Sequence, residues 1–382
     1  MEKIDHVAIA GAGVGGLALA LGLYRAGIRV SVFEKYSTPQ KHNTGFTLWS
    51  YSVRRLANFG FGPDQMEEVG ASIEYTEIRN QSGRIISKMP VGEVSRSLGS
   101  ESYEVRRADL LQKIEDQLPE GTVRRGLACT HAETENDRAF LELENAERIE
   151  ADLVIGADGI HSALREVIAG PTPLHESGYL GCSALCEIPE TALPKNTHID
   201  IWGRGGKAGI SEVSPGLARW YLTWKAKKDA ERQTKTQLLA AYANWGDLIT
   251  QAIEATVEAD IVHHTYADIS AIPTWHRGRV ALLGDAAHAT TPFAAMGANM
   301  AIEDASVLVE ALTENHRVGD ALAVFEDSRK KRTEDVVVKG RRMSRLTQLH
   351  SPFAAWLRDQ AFLHMPAEDT ERVTREMASG EG

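Results

Sequence analysis

The chain is poor in cysteine, in aromatic residues and in positive charge. Cys129, Cys182 and Cys186 are an odd and sparse set in 382 residues, which excludes a disulfide-stapled scaffold and suits buried thiols in a reducing, cytoplasmic compartment. Cys182 and Cys186 stand four apart without a second His/Cys cluster, so no metal is assigned. Lys plus Arg number 42 against 53 Asp plus Glu, a net charge of −11. That field discourages binding to nucleic acid or anionic lipid and leaves a small molecule as the partner. Apolar residues at 43% with 25% charged and 7% aromatic exclude disordered, collagen-like and membrane classes, and the length suits one large or two interleaved domains. One apolar run, Val7 to Leu23, lacks a polar side chain, but five of its seventeen residues are glycines and Glu2 and Asp5 outnumber Lys3 ahead of it. Neither a membrane span nor a leader is expected from it.

What is present is a strand, a glycine turn, a helix and a second strand. His6–Ala10 is short and apolar, Gly11–Gly16 is glycine-rich, Leu17–Ala26 is helical, and 28–33 alternates and ends on Glu34. A hairpin follows between 73 and 89 around Gln81-Ser82-Gly83, and a β-rich stretch runs from about 198 to 226 with a turn at Pro215-Gly216. Between them, strands end in Asp158, and Val280–Asp285 is another apolar strand ending in Gly-Asp. Helical spacing of Ala301, Ala305, Leu308 and Leu312 and a long polar helix from about Gly319 to Pro352 complete the chain. Only the last dozen residues look dispensable. The basic run Arg329 to Arg332 is flanked by Glu326, Asp327, Glu334 and Asp335, so it reads as a solvated helix face.

The chemistry begins at Gly11-Ala-Gly13-Val-Gly15-Gly16. Such glycines permit a tight turn and backbone approach to a pyrophosphate at a helix N-terminus; Glu34, eighteen residues after Gly16, can accept the hydroxyls of an adenosine ribose, and Lys35 beside it is a further cofactor-binding candidate. This pattern alone fits NAD and FAD equally. Two further blocks start at strand ends: Gly156-Ala-Asp158-Gly159-Ile-His-Ser162-Ala-Leu-Arg165, and Gly284-Asp285-Ala-Ala-His288 followed by Pro292 and Gly297. With Val105-Arg-Arg107-Ala-Asp-Leu110 and Phe325-Glu326-x-x-Arg329-x-x-Arg332, these blocks resemble the class A, single-component FAD-dependent aromatic monooxygenases, the para-hydroxybenzoate hydroxylase-like family.

That resemblance implies an α/β fold: a Rossmann-like FAD-binding domain from 1–70, 101–170 and 271–320, interleaved with a β-sheet substrate domain from 71–100 and 171–270, and a C-terminal helical segment 321–382. It implies that Asp285 meets the ribityl chain, that Pro292, Gly297, Ala298 and Asn299 bring a helix start to the flavin ring, that Arg107 contacts the flavin, and that Asp158 sits between flavin and nicotinamide contacts. Asp158 and Arg165 as a buried ion pair is the structural alternative. No second complete glycine motif is present, so NADPH or NADH is a transient reductant without its own Rossmann domain. Ala295-Met296 replaces the Gly-Gln that relatives often carry, which bears on flavin mobility.

The resemblance further implies that the reduced flavin adds O2 at C4a and that the hydroperoxide passes one oxygen atom to an electron-rich aromatic or polycyclic ring. Water must be excluded from such a pocket. Candidate walls are Phe46, Leu48, Trp49, Trp202, Trp220, Tyr221, Leu222 and Trp224, with strand alternation separating Trp220, Leu222 and Trp224 from Tyr221 and Thr223. Candidate bases or orienters are His198, Arg204 and Tyr221, and His288 is assigned to the Gly-Asp turn. Pro292-Phe-Ala294 and Thr47-Leu48 faintly resemble tetracycline-inactivating relatives, which adds antibiotics to the substrate classes. A flavin-dependent dehydrogenase or reductase and a noncatalytic flavin-binding accessory protein remain as alternatives; a monomer or homodimer is expected.

Overall fold

The computed structural model describes residues 4–39, 44–226 and 232–381; the charges at Glu2 and Lys3 lie outside them. The apolar run folds into the buried strand His6–Ala10, a glycine turn, and the helix Val14–Arg25, whose residues from Val14 to Leu23 are all buried. A helix apolar on every side needs neighbours on every side. This one lies against the strand Arg29–Glu34 and the helices Arg107–Glu115 and Gly297–Glu314. Among the described residues no helix is long and apolar enough to cross a membrane.

The first sheet has six strands in the order His276–Arg277, Val280–Leu282, Leu153–Gly156, His6–Ala10, Arg29–Glu34, Val123–Arg125. All pairings are parallel except the hairpin between the first two. The three central strands are buried on both faces, as covered parallel sheets are. Register aligns the ends of these strands: Ala10 pairs with Gly156, and Gly156 with Leu282. The turns after those residues therefore emerge side by side at one edge, although more than 270 residues of chain separate the first from the last.

The second sheet has seven strands in the order Val262–Ile269, Leu174–Glu187, Leu217–Lys225, Gly206–Ser214, Thr197–Trp202, Tyr75–Asn80, Ile85–Met89. The expected hairpin is its far edge, joined to Thr197–Trp202 by a parallel pairing. Alternation divides its residues as the two-residue period requires. Ile199, Ile201, Ala208, Ile210, Trp220 and Leu222 form one core with the helices Lys235–Tyr242 and Asp247–Ala255, and His198, Asp200, Lys207, Arg219 and Tyr221 take the other face. A small sheet of Gly45–Leu48, Tyr103–Arg106 and Gly70–Ser72 lies between the two large ones.

The chain closes with helices Val318–Thr347, Pro352–Leu363 and Ala367–Ser379. Two expectations need correction here. The last dozen residues are largely helical, with Thr374 and Ala378 buried against the strand Ile85–Met89 and the helices Ser50–Asn58 and Val91–Ser97. The basic run is not a solvated face throughout: Arg329 is 2% exposed and donates to Asp304 (2.7 Å), and Arg332 donates to Glu303 (3.0 Å). Only Lys331 points fully to solvent, paired with Asp335.

Candidate active site

A cavity of about 820 Å³ runs from the turns at the edge of the parallel sheet to the polar face of the seven-stranded sheet. Its first half has the shape of a nucleotide cradle. Gly11 adopts φ +103°, and a Cβ on Gly16 would lie 2.0 Å from the Gly11 carbonyl oxygen, so the turn closes only with glycine at both. A Cβ on Gly15 would meet Leu283 at 2.5 Å. Gly13 differs: its φ of −78° suits any residue and a Cβ there would meet nothing within 4 Å. It faces the cavity, so the reason for a glycine at 13 lies in what approaches from that side. Gly13 also caps the helix without a side-chain bond, which leaves the first-turn amides for an anion.

Arg107 and Asp285 face the same space. Arg107 Nε is buried without a hydrogen-bond partner among the described residues, and burial lowers its pKa while Asp285 and Glu34 oppose that shift. Asp285 is enclosed by protein yet exposed, because the surface it presents belongs to the cavity. Burial pushes its carboxyl above the usual range, against His288 and Arg107. These orphaned groups suit the phosphates and polyol of FAD. Glu34 leans over the glycine turn and accepts from Ala12 N (2.9 Å) and Tyr36 N (3.0 Å). Lys35 is exposed, its ammonium 5.1 Å from the Tyr36 ring centroid, outside the cavity.

Asp158 and Arg165 do not pair. Asp158 accepts from Ala163 N (2.9 Å) at the start of the helix Ala163–Ala169, leaving its Oδ1 buried and unpartnered, while Arg165 donates to the carbonyls of Ala286 (3.1 Å) and Ile160 (2.6 Å). Arg165 thereby ties the second motif block to the third. His288 is buried and contacts Asp304 (2.5 Å), in keeping with its assignment to the Gly-Asp turn.

Pro292–Ala294 forms a single 3-10 turn, Ala295 is left-handed at φ 53°, and the helix Gly297–Glu314 starts without a side-chain cap. Pro292, Gly297, Ala298 and Asn299 all line the cavity. Asn299 is committed elsewhere, however: it accepts from Trp49 N (2.9 Å) and donates to the carbonyls of Thr47 (2.9 Å) and Ala295 (3.2 Å). Its side chain positions the cavity wall more than it offers a contact. A left-handed non-glycine residue costs roughly 1–2 kcal/mol, so Ala295→Gly is expected to raise unfolding stability by about 1 kcal/mol. Chemical denaturation of the apoprotein checks this, and an unchanged midpoint would contradict it.

The far half is a charged floor. Glu104, 2% exposed, accepts from Thr47 Oγ1 (2.7 Å) and from Arg219 Nε, and His198 Nδ1 lies 3.1 Å away without hydrogen-bond alignment. Burial favours the neutral acid, but Arg219 and His198 outweigh it and hold Glu104 well below the usual carboxylate range. Asp200 accepts from Tyr221 OH (2.6 Å) and Trp202 Nε1 (2.8 Å) and pairs with Lys207 (2.9 Å). Burial and Asp200 raise the Tyr221 phenol far above its ordinary value, which keeps it a neutral phenol. The ring of Tyr221 fits only because residue 209 is glycine: a Cβ there would lie 2.3 Å from it.

Of the sequence-predicted catalytic candidates, His198 and Tyr221 line the cavity. Arg204 does not; it is exposed at the turn before Gly206, its backbone N–H donating to Gln81 (3.3 Å). Among the predicted walls, Phe46, Trp49, Trp202 and Tyr221 line the cavity, while Leu48, Trp220, Leu222 and Trp224 pack into the cores. Glu104, Asp200, Lys207 and Arg219 were missed. The signal was available for two: Asp200 shares strand parity with His198, and Arg219 with Tyr221.

Residues 5–339 match the family described as "FAD binding domain". The chain is 31% identical to 3-amino-4-hydroxybenzoate 2-monooxygenase PtnB3 of Streptomyces platensis, over 94% of this chain and 95% of that one. It is 29% identical to aurachin C monooxygenase/isomerase of Stigmatella aurantiaca, over 97% and 96%. The crystal structure of Klebsiella pneumoniae HpxO complexed with FAD and uric acid superposes with a TM-score of 0.90 at 26% identity, over 98% of this chain and 96% of that one. Motifs, cavity and relatives agree, and the chain belongs to the FAD binding domain family as an FAD-dependent aromatic monooxygenase.

Proposed function

We propose that this enzyme hydroxylates a small aromatic or heteroaromatic ring held flat between the flavin position and the floor of the seven-stranded sheet, with Tyr221 and His198 orienting it. The observation that carries this reading is continuity: one cavity includes Gly13, Arg107 and Asp285 at one end and His198, Asp200 and Tyr221 at the other. Bound FAD, reduced by NADPH or NADH, supplies the oxygen-activating chemistry. The protein's part is to position the ring and keep water away. Tyr221 is fixed by its bond to Asp200, which Lys207 and Trp202 fix in turn, so its hydroxyl oxygen can accept from a ring hydroxyl or ring N–H. His198 stacks against Tyr221 with centroids 6.3 Å apart and can hydrogen-bond a substituent of the ring. The Glu104–Arg219 pair behind it anchors the wall from Gly45 to Thr47.

The relatives act on chemically different rings by name, a uric acid complex and an aminohydroxybenzoate among them, so ring identity rests with the floor. A cytoplasmic setting is part of the same reading, supported by three free cysteines of which burial pushes Cys129 and Cys186 up to about 12, and so is a monomer or homodimer. Tyr221→Phe is expected to retain FAD and to lower kcat/KM by about 10–100-fold, about 1.4–2.7 kcal/mol of transition-state stabilisation. NAD(P)H-consumption kinetics checks it. Wild-type kcat/KM in this variant would remove Tyr221 from the reaction.

A further inference from the structure

The cavity does not stop at the polar floor. Asp200, Lys207 and Tyr221 belong to strands in the middle of the seven-stranded sheet, and beyond them the cavity continues under the hairpin edge. There it is walled by Ile78 and Met89 from the hairpin and by Met343, Phe362, Met365 and Met377 from the C-terminal helices and their connection. Among the described residues, every charged side chain lining the cavity comes from the floor strands or the flavin-side turns, and the hairpin end contributes none. From the strand of Lys207 to that of Met89 is three strand spacings, roughly 14 Å. Phe362 sets its edge against the Trp202 ring at 4.9 Å, which marks the junction between floor and channel. Val373, 36% exposed, also lines the cavity, so the channel extends along the last helix.

A flat ring seated at Tyr221 leaves this extension unused. Four methionines on its walls form an unbranched, deformable, apolar lining that adapts to a flexible chain better than to a rigid one. Resting on the reading of the site given above, we infer that the substrate is amphiphilic, an aromatic or heteroaromatic ring bearing a linear aliphatic tail, with the ring on the floor and the tail in the methionine-lined channel. The C-terminal helices are then the specificity element of the enzyme.

The test is equilibrium binding to the FAD-loaded, oxidised enzyme, followed through the flavin spectrum, of two homologous series: 2-alkyl-4-quinolones and 4-alkylphenols with tails from methyl to nonyl. Each fully buried methylene is expected to tighten binding about fourfold, so the six added from methyl to heptyl lower Kd by up to about 4,000-fold and by at least about 100-fold in the better series, and the gain levels off when the tail reaches Val373. Met377→Trp, which fills the channel, is expected to flatten that gradient, and Met377→Ala to keep it and move the plateau to longer tails. A Kd indifferent to tail length in both series, or an equal gradient in wild type and FAD-loaded Met377→Trp, overturns the inference. Binding and turnover separate the two readings. A gradient without oxygen transfer sinks the hydroxylase reading and leaves the channel; oxygenation of tailless and tailed rings with equal KM sinks the channel and leaves the hydroxylase.

Discussion

Asp304→Ala is expected to cost about 3–5 kcal/mol of stability, because it removes the more deeply buried of the two carboxylates that hold a buried cation. Asp304 is fully buried on the helix Gly297–Glu314 and accepts from Gly284 N (3.0 Å) and Arg329 Nε (2.7 Å) while contacting His288 (2.5 Å). It thus fastens the Gly284-Asp285 turn to two helices. Removing it leaves Arg329 with Glu303 alone, at 2.7 Å. The same change is expected to weaken FAD binding, since Asp285 loses its support. Acid sensitivity gives an independent reading. Burial works against ionisation, but His288 and Arg329 hold the Asp304 carboxyl well below its ordinary range. A depressed folded pKa adds stability above the unfolded value near 3.9, and that stability is lost as pH falls from there through the folded pKa. The variant's unfolding free energy should therefore fall less steeply than wild type below about pH 4. Parallel acid slopes would show that Asp304 is not the linked group.

The second large effect separates folding from cofactor binding. Gly16→Ala is expected to abolish FAD loading and lower the melting temperature, because its Cβ would sit 2.0 Å from the Gly11 carbonyl. That backbone cannot retreat: Gly11 N bonds Phe33 O and Ala157 N bonds Ala10 O, both at 2.8 Å. Gly13→Ala has room and an ordinary φ, so the apoprotein is expected to melt at the wild-type temperature while FAD affinity drops at least about 100-fold, about 2.7 kcal/mol. Differential scanning fluorimetry with and without FAD distinguishes the two variants. Unchanged FAD affinity in Gly13→Ala would mean that the cofactor does not approach this turn.

The parallel sheet and its cofactor edge were legible in the sequence because glycine turns and buried apolar strands are local signals. His6–Ala10, Leu153–Gly156 and Val280–Leu282 each announce a turn whose chemistry is written in the next few residues. What brings these turns together is register, which no single segment encodes. The substrate floor was half legible. Alternation on Leu217–Lys225 separated Tyr221 from Trp220 and Trp224, yet Glu104 comes from another sheet and meets Arg219 only through tertiary packing. Arg204 misled because a lone arginine in a glycine-rich turn carries no sign of which way it faces. The basic run misled for a related reason: Arg329 and Arg332 look solvated until Asp304 and Glu303, one helix earlier, are brought against them. The final helix is polar enough to read as dispensable, and its Met377 and Val373 gain meaning only from the cavity they border.

The most direct test of the central claim is turnover under isotopically labelled O2. FAD-loaded enzyme, NADPH or NADH, and the compound that most stimulates nicotinamide oxidation are incubated, and the product is examined by mass spectrometry. One labelled oxygen atom per product molecule, with one nicotinamide consumed, is the predicted result. Substrate oxidation with no label in the product, the label passing only to peroxide or water, would contradict a monooxygenase and return the protein to the dehydrogenase class.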